Sequence, residues 1–272
     1  MDRRQFTGVM LSAGAAVALP RAATAVPGAA RATVVQDARS GRVLHRSGPC
    51  ATRLSPCSTF KIPLGLMGFD AGVLRDAHHP AWAFDPAIHQ ANRPTDRQRA
   101  DPMQWHANSV VWFSQALTQK LGEASFKAYV ARFGYGNRDV RGNPGKGDGL
   151  TQSWLMSSLA ISPDEQVAFL RRMLAHRLVS SRAHALTEKI VPVFEGSGGW
   201  RVHGKTGTGW LRGAGGQLDR TRPLGWFVGW ADKGLRRVLF ARAETGVATS
   251  RDTAAGPAAR DAMLRAIGRL AG

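Results

Sequence analysis

The chain has 272 residues, 43% of them hydrophobic, and a formal net charge of +18. This length and apolar content suit a single enzyme core, and no apolar run after residue 30 is long enough to span a bilayer. The charge raises nucleic acid as a partner, but the arginines are scattered and no nucleic-acid motif is present, so we expect none. A basic surface is instead suited to steering anionic substrates or to holding the protein near acidic lipid or polysaccharide.

The N-terminal segment, residues 1–25, has the pattern of an export signal. Arg3 and Arg4 precede an apolar stretch of small residues at 9–19, and residues 23–25 read Ala-Thr-Ala, a typical cleavage site. Residues 2–6 favour a twin-arginine signal, with an ordinary secretory signal as the alternative. We therefore expect a bacterial protein exported to the periplasm, with one folded domain at residues 26–272.

The first elements of this domain are a β-hairpin and a helix. Residues 32–35 and 42–45 are short β-prone runs on either side of a turn-like segment. From Ser58 to Leu74 apolar residues recur at helical spacing, and Pro63 is compatible with a helix only near its first turn. Ser58 is therefore expected at a helix N-terminus, where the helix dipole favours negative charge.

The rest of the chain divides into a helical part and a second strand-rich part. Residues 75–190 predict helices, including 126–133 and 163–178, with a break at 143–147. Three strands, at 201–208, 224–231 and 236–243, and an amphipathic helix at 254–270 are then predicted. We expect one antiparallel sheet built from residues 31–70 and 195–272, with residues 71–194 forming a helical lobe and the active site between the two.

The two cysteines, Cys50 and Cys57, are separated by six residues in a chain expected in an oxidising compartment. A disulfide between them would close a short loop beside Ser58. Two reduced core thiols are the alternative. A metal site is not expected, because no histidine spacing complements the two cysteines.

Two short motifs indicate covalent acyl transfer. In Ser58-Thr-Phe-Lys61 the hydroxyl and the amine lie on one face of a helical turn, and a serine becomes a useful nucleophile when a neighbour accepts its proton. Ser-x-x-Lys alone is weak evidence, because the spacing occurs by accident on many helices. The separate Lys205-Thr206-Gly207, in the right order downstream, strengthens it.

These motifs resemble the class D serine β-lactamases, the oxacillinase group of the penicillin-recognising enzymes. Residues 56–62 resemble the family's nucleophile segment, 109–111 its Ser-x-Val element and 135–137 its Tyr-Gly-Asn element, while Trp154-Leu155 resembles its omega-loop tryptophan. The likeness extends over residues 31–270. It implies an α+β fold of the β-lactamase/penicillin-binding-protein type, with a central antiparallel sheet flanked by helices and an all-helical subdomain.

The resemblance implies hydrolysis of β-lactam antibiotics, and hence antibiotic resistance, by a monomer or dimer. Ser58 would be the nucleophile, its N–H and that of Thr208 the oxyanion hole, and Lys61, carboxylated by carbon dioxide to N6-carboxylysine, the general base. No other cofactor is implied. The alternative is a penicillin-binding or β-lactam-sensing domain that is acylated but turns over slowly.

The remaining site residues also follow from the resemblance. Ser109 would relay a proton to the leaving nitrogen, and Lys205 would place positive charge beside it. The Trp154 indole would hydrogen-bond the modified lysine, with a plain core aromatic as the alternative. The substrate-binding residues implied are Thr206, Gly207, Thr208, Val110 as an apolar wall, Trp105 for a substrate side chain, and Arg260 for the substrate carboxylate. An ordinary surface arginine is the alternative for Arg260, because the chain has thirty arginines.

Glu165 is rejected as a deacylating base of the class A kind. It follows Ser162-Pro163-Asp164 in what is predicted to be the first turn of a helix, where acidic residues favour the dipole and face solvent.

Overall fold

The computed structural model describes residues 28–91, 93–249 and 253–272. The export signal predicted at residues 1–25 lies outside these ranges. No helix within them is both long and apolar enough to cross a membrane.

A single antiparallel sheet of six strands forms the centre of the protein, in the order β2-β1-β6-β5-β4-β3. The predicted N-terminal hairpin is confirmed, and the first and last segments of the chain share this sheet because β1 pairs with β6. The strands are β1 Ala30–Asp37, β2 Val43–Ser47, β3 Val193–Gly196, β4 Trp200–Arg212, β5 Leu218–Lys233 and β6 Arg236–Thr245.

Seven helices lie between β2 and β3, and an eighth follows β6, among the residues described. They are α1 Lys61–Asp70, α2 Pro102–Asn108, α3 Val111–Leu121, α4 Glu123–Phe133, α5 Gly149–Gln152, α6 Pro163–Leu174, α7 Ser181–Ile190 and α8 Ala255–Ala271. The helix predicted to reach Leu74 ends four residues earlier because Gly72, with φ +72°, reverses the chain. The one predicted to reach Leu178 ends at Leu174, before His176 at φ +53°.

The sheet is buried on both faces. Alternate residues of β5 point in opposite directions, so Trp226 and Val228 join the core beneath α1–α7 whereas Phe227 joins a second core beneath α8. Both faces are therefore apolar, which explains the nearly continuous hydrophobic run in β5.

The edge of the sheet is open beside the Lys-Thr-Gly motif. β3 pairs with β4 only from Trp200 to His203, and the remainder of β4 has β5 as its only neighbouring strand. Backbone groups of the motif are therefore free to face the space between this edge and the helices.

Candidate active site

The segment that carries Ser58 is held at both sides. Ser58 lies in a 3₁₀ turn, Cys57–Phe60, that leads directly into α1. The Cys57 N–H donates to the Trp154 carbonyl at 3.0 Å, and the Trp226 indole donates to the Ser55 carbonyl at 3.0 Å. The nucleophile segment is thus fixed to a loop between α5 and α6 and to the sheet, which preorganises its hydroxyl.

Lys61 lies next to this hydroxyl in a dry environment. Its Nζ is 3.4 Å from Ser58 Oγ, and its side chain is fully buried. Burial, together with the nearby charge of Lys205, holds the pKa of Lys61 well below its usual value. This shift favours the neutral form of the amine, whereas an exposed lysine is protonated at pH 7.

Trp154 closes the pocket around Lys61. Its ring stacks on Phe60, with centroids 5.5 Å apart, and is completely buried. The indole N–H has no hydrogen-bond partner among the described residues. Because a buried donor is rarely left unpaired, this N–H marks a place for an acceptor in the working enzyme.

Lys205 and Ser109 form a second hydroxyl–amine pair. Lys205 Nζ donates to Ser109 Oγ at 3.1 Å, across the gap between β4 and the helices. Ser109 has left-handed backbone angles, φ 59° and ψ 36°, at the junction of α2 and α3. Burial, then the charges of Arg93 and Arg260, lower the pKa of Lys205 to about 7.

A cleft of about 650 Å³ joins the two pairs. Ser58, Ser109, Thr206 and Thr208 line it. The hydroxyl-bearing residues Ser58 and Ser109 therefore line one space, and each hydroxyl has a buried lysine amine within 3.4 Å, which is an arrangement suited to acyl transfer through a covalent serine ester.

Comparison with known proteins places this geometry in a family. The model of the penicillin-binding-protein transpeptidase domain matches residues 31–264. The chain is 45% identical over 235 residues to β-lactamase OXA-9 of Klebsiella pneumoniae, covering 86% of this chain and 85% of the relative. It is 36% identical over 192 residues to β-lactamase OXA-1 of Escherichia coli, covering 69% and 65%. The crystal structure of the class D β-lactamase OXA-427 superposes with a TM-score of 0.80 at 44% identity, covering 88% of this chain and 97% of that one.

The chain belongs to the class D β-lactamases. The family recognised from the motifs is confirmed, and so are the enzyme class and the α+β fold.

The structure places two predicted substrate contacts of this class D β-lactamase elsewhere. Trp105 is fully buried, and its indole donates to Ser114 Oγ at 2.8 Å, so it belongs to the core rather than to the cleft. Val110 is also buried, and its neighbour Val111 lines the cleft instead. The left-handed turn at Ser109 redirects the chain and so determines which valine faces the substrate space.

Arg260 is not among the residues that line the cleft. Its Nε donates to Asp261 at 2.8 Å, and its guanidinium lies 5.2 Å from the ring centroid of Phe194. Two other arginines, Arg93 and Arg212, do line it. No sequence motif singled them out, because their positions depend on loops between the helices and on the β4–β5 hairpin.

Of the two alternatives for Cys50 and Cys57, the structure has the reduced one, with both residues as free, buried thiols. Cys50 Sγ donates to the Ser47 carbonyl at 3.0 Å, whereas Cys57 Sγ lies 3.9 Å from Ser55 Oγ. The two thiols are thus engaged by different neighbours. Burial raises the pKa of Cys57 to about 12, which keeps it unreactive.

Glu165 lies away from the cleft. Its carboxylate accepts the Ser162 N–H at the start of α6 and pairs with Arg53. This capping box explains the local sequence without a catalytic role.

The structure contains no group of three or more histidine, cysteine or acidic side chains that could hold a metal ion within residues 28–91, 93–249 and 253–272.

A hydrogen bond at the cleft that joins β4 to the loop between α5 and α6 was not predicted from the sequence. The Trp210 N–H on β4 donates to Met156 Sδ at 3.3 Å, and both side chains line the cleft. Arg220 stacks on the Trp210 ring at 4.1 Å. The sequence near this contact is Met-Ser-Ser, directly after Trp154-Leu155, and it contains no recognisable functional motif.

Proposed function

We propose that this protein is an exported enzyme that hydrolyses β-lactam antibiotics through an ester on Ser58 and thereby confers resistance. Its relatives OXA-9 and OXA-1 are named β-lactamases. The observation that carries the proposal is the contact between the buried Lys61 amine and the Ser58 hydroxyl at 3.4 Å. A buried amine with a lowered pKa at this position provides the means of removing the serine proton.

Acylation begins when Ser58 Oγ attacks the lactam carbonyl and its proton passes toward Lys61. The oxyanion is accommodated by the N–H groups of Ser58 and Thr208, two residues that line the cleft. The lactam C–N bond then breaks, its nitrogen takes the proton of Ser109, and Ser109 recovers a proton from Lys205 along their hydrogen bond. Lys205, which donates to Ser109, supplies positive charge beside the leaving nitrogen.

Lys61 fits the carboxylated form found in the family. Carbon dioxide adds to a neutral amine, and burial favours the neutral form of this one by lowering the pKa of Lys61. The unpartnered Trp154 N–H matches an additional acceptor near Lys61. When present, the carboxylate of the modified lysine supplies a base both for Ser58 and for the water that releases the product.

Four basic or hydroxyl groups are available for the substrate carboxylate. Thr206 and Thr208 on β4 and the guanidinium groups of Arg93 and Arg212 all line the cleft. Arg93 also pairs with the buried Asp96 at 2.7 Å, which fixes its direction. We assign the carboxylate to this cationic wall rather than to Arg260.

Rapid-mixing kinetics with a penicillin and a chromogenic cephalosporin test the proposal. The wild type is expected to turn over steadily, to lose activity when bicarbonate is removed and to recover when it is restored. Lys61→Ala is expected to lose both acylation and deacylation. No ester on Ser58 by mass spectrometry, with the antibiotic intact, would rule the proposal out.

Trp154→Phe separates the indole N–H from its packing. The stack on Phe60 is retained and the donor is lost, so we expect slower deacylation, accumulation of the ester and a higher bicarbonate requirement. Trp230→Phe, in a buried tryptophan of β5 that does not line the cleft, is the matched control. Equal rates in the two variants would show that the Trp154 N–H has no part in the reaction.

A penicillin-binding or sensing domain is the second candidate, because the matching family model is that of a transpeptidase domain. It predicts a single stoichiometric burst without steady turnover in the same experiment.

A further inference from the structure

A second cavity, of about 560 Å³, lies apart from the catalytic cleft and shares no lining residue with it. It is formed by the C-terminal end of α6, the β1–β2 turn and the β5–β6 turn. Half of its lining residues are arginines: Arg39, Arg171, Arg172, Arg177, Arg236 and Arg237. We call these six residues, with Leu235 at the rim, the arginine face.

Few negative charges balance this face. Asp37 is the only carboxylate that lines the cavity, and it already accepts two hydrogen bonds from Ser40. Arg237 is paired with Asp232 at 2.6 Å, outside the lining. The C-terminal dipole of α6 contributes roughly half a negative charge, which is much less than the arginines carry.

Arg172 and Arg236 donate to backbone carbonyls, and three other arginines of the face have no side-chain hydrogen bond or ion pair within the described part of the chain. These are Arg39, Arg171 and Arg177, which come from the β1–β2 turn and from the end of α6, and all three are exposed. Arg171 packs its guanidinium against Gly41, where a Cβ would come within 2.7 Å of Cζ. The missing side chain of Gly41 leaves room for this guanidinium at the cavity. An anion is the missing partner of such a group.

The rim carries an exposed apolar side chain. Leu235 has a relative exposure of 107%, in the tight turn between β5 and β6 where Gly234 adopts φ +57°. Lys233, Arg236 and Arg237 flank it in sequence. The Leu235 side chain is fully exposed to water between cationic neighbours in sequence, so it adds nothing to the packing of the fold.

We propose that the arginine face docks on a membrane surface rich in anionic phospholipid, with headgroup phosphates in the cavity and Leu235 inserted among the acyl chains. Unpaired guanidinium groups bind phosphate strongly and attract an anionic surface over a Debye length. A projecting leucine finds an apolar environment only in a lipid layer or a protein pocket, and a phosphate-lined lipid layer matches both features. Docking would leave the catalytic cleft, whose lining residues are different, open to substrate.

An environment-sensitive fluorophore on a cysteine at position 235 tests this directly. Cys50 and Cys57 are buried, so labelling of Leu235→Cys in the native protein is selective. We expect a fluorescence increase with vesicles of equal parts phosphatidylcholine and phosphatidylglycerol, and none with phosphatidylcholine alone. The matched control is the same label on Ile88→Cys, since Ile88 is 74% exposed but does not line the cavity; it is expected to stay unchanged.

Variants that remove charge provide a second test of the docking proposal. Arg39→Gln with Arg177→Gln should weaken vesicle binding about 25-fold, on the basis of about fivefold per arginine, and added salt should weaken wild-type binding. Arg75→Gln with Arg99→Gln removes the same charge from exposed positions outside the cavity and should change binding little. All variants are prepared in the same form of the chain, so any contribution of its N-terminal residues cancels in the comparison.

Three results would overturn the proposal. These are a silent probe at 235 with anionic vesicles, an equal response at 88, and equal loss of binding in the two arginine pairs. Pyrophosphate binding that needs Arg39 and Arg177, with a silent probe at 235, would mean a small-phosphate site instead of a docking surface. Hydrolysis of a soluble cephalosporin is expected to be unchanged in every variant, so this test is independent of the catalytic proposal.

Discussion

At the scale of single residues, burial determines the chemistry of two lysines. Lys61 is fully enclosed and Lys205 is 2% exposed, and in both burial is the largest cause of a lowered pKa. Each is also close to a serine hydroxyl. The Ser-x-x-Lys spacing predicts the first contact, but the second joins residues 96 positions apart and depends on the fold.

Lys205 is expected to make stability depend on pH. Its pKa falls from 10.5 to about 7 on folding, so between these pH values the unfolded chain binds more protons than the folded one. The free energy of unfolding should therefore rise with pH in this window, by roughly 1.4 kcal/mol per pH unit. Below this window, the destabilisation caused by burying Lys205 should be constant.

The variant Lys205→Met removes this penalty, so it should be more stable than the wild type at pH 6, with the difference shrinking toward pH 10. Urea unfolding at several pH values measures it. Lys146→Met, at an exposed lysine, is the control and should show no such trend. Parallel curves for Lys205→Met and the wild type would contradict the lowered pKa.

At the scale of elements, α8 is seated against the sheet by close backbone contacts. A Cβ on Gly225 of β5 would lie 2.2 Å from the Ala255 carbonyl at the start of α8. Next to it, the Gly256 N–H donates to Thr208 Oγ1 on β4 at 3.0 Å. The first turn of α8 is thus set beside the Lys-Thr-Gly strand, and its Pro257 lines the cleft.

Gly225→Ala is expected to displace this first turn. We expect a loss of about 1–3 kcal/mol in the free energy of unfolding, typical of overpacking, and a higher KM for penicillins because Thr208 and Pro257 move. Gly213→Ala is the control, since its nearest neighbours lie 3.9 Å away and its backbone is not left-handed. Denaturant melts and steady-state kinetics of both variants give the answer. Equal stability of the two would disprove the close contact.

At the scale of the whole molecule, the reactive segment is assembled from distant parts of the chain. The Trp226 indole reaches Ser55, 171 residues away, and the Arg53–Glu165 pair joins the same region to α6. These non-local contacts hold Ser58 in place without a covalent link, because Cys50 and Cys57 are separate thiols.

Reducing agent is therefore expected to leave the thermal midpoint unchanged. A short-loop disulfide would contribute on the order of 2–3 kcal/mol, which in a chain of this size corresponds to several degrees. Thermal melts with and without dithiothreitol, and a thiol titration in denaturant expected to give both cysteines, measure this. A lower thermal midpoint with reductant, or the absence of titratable thiols, would show that the two cysteines form a disulfide.

The sequence alone determined what local pattern can encode. Spacing within one turn paired Ser58 with Lys61, β-prone runs beside a turn-like segment identified the hairpin, and strand-like patterning identified the strand with the Lys-Thr-Gly motif and its neighbour at 224–231. The order of these motifs also identified the family. None of these features requires knowledge of how elements pack.

Only the tertiary structure decided which side chains face the cleft. After the left-handed turn at Ser109, Val111 lines the cleft and Val110 is buried. Trp105 packs in the core. Arg260 contacts Phe194 and does not line the cleft, whereas the loops place Arg93 and Arg212 in its lining. Direction and burial arise from contacts between residues far apart in the chain, and no local pattern contains that information.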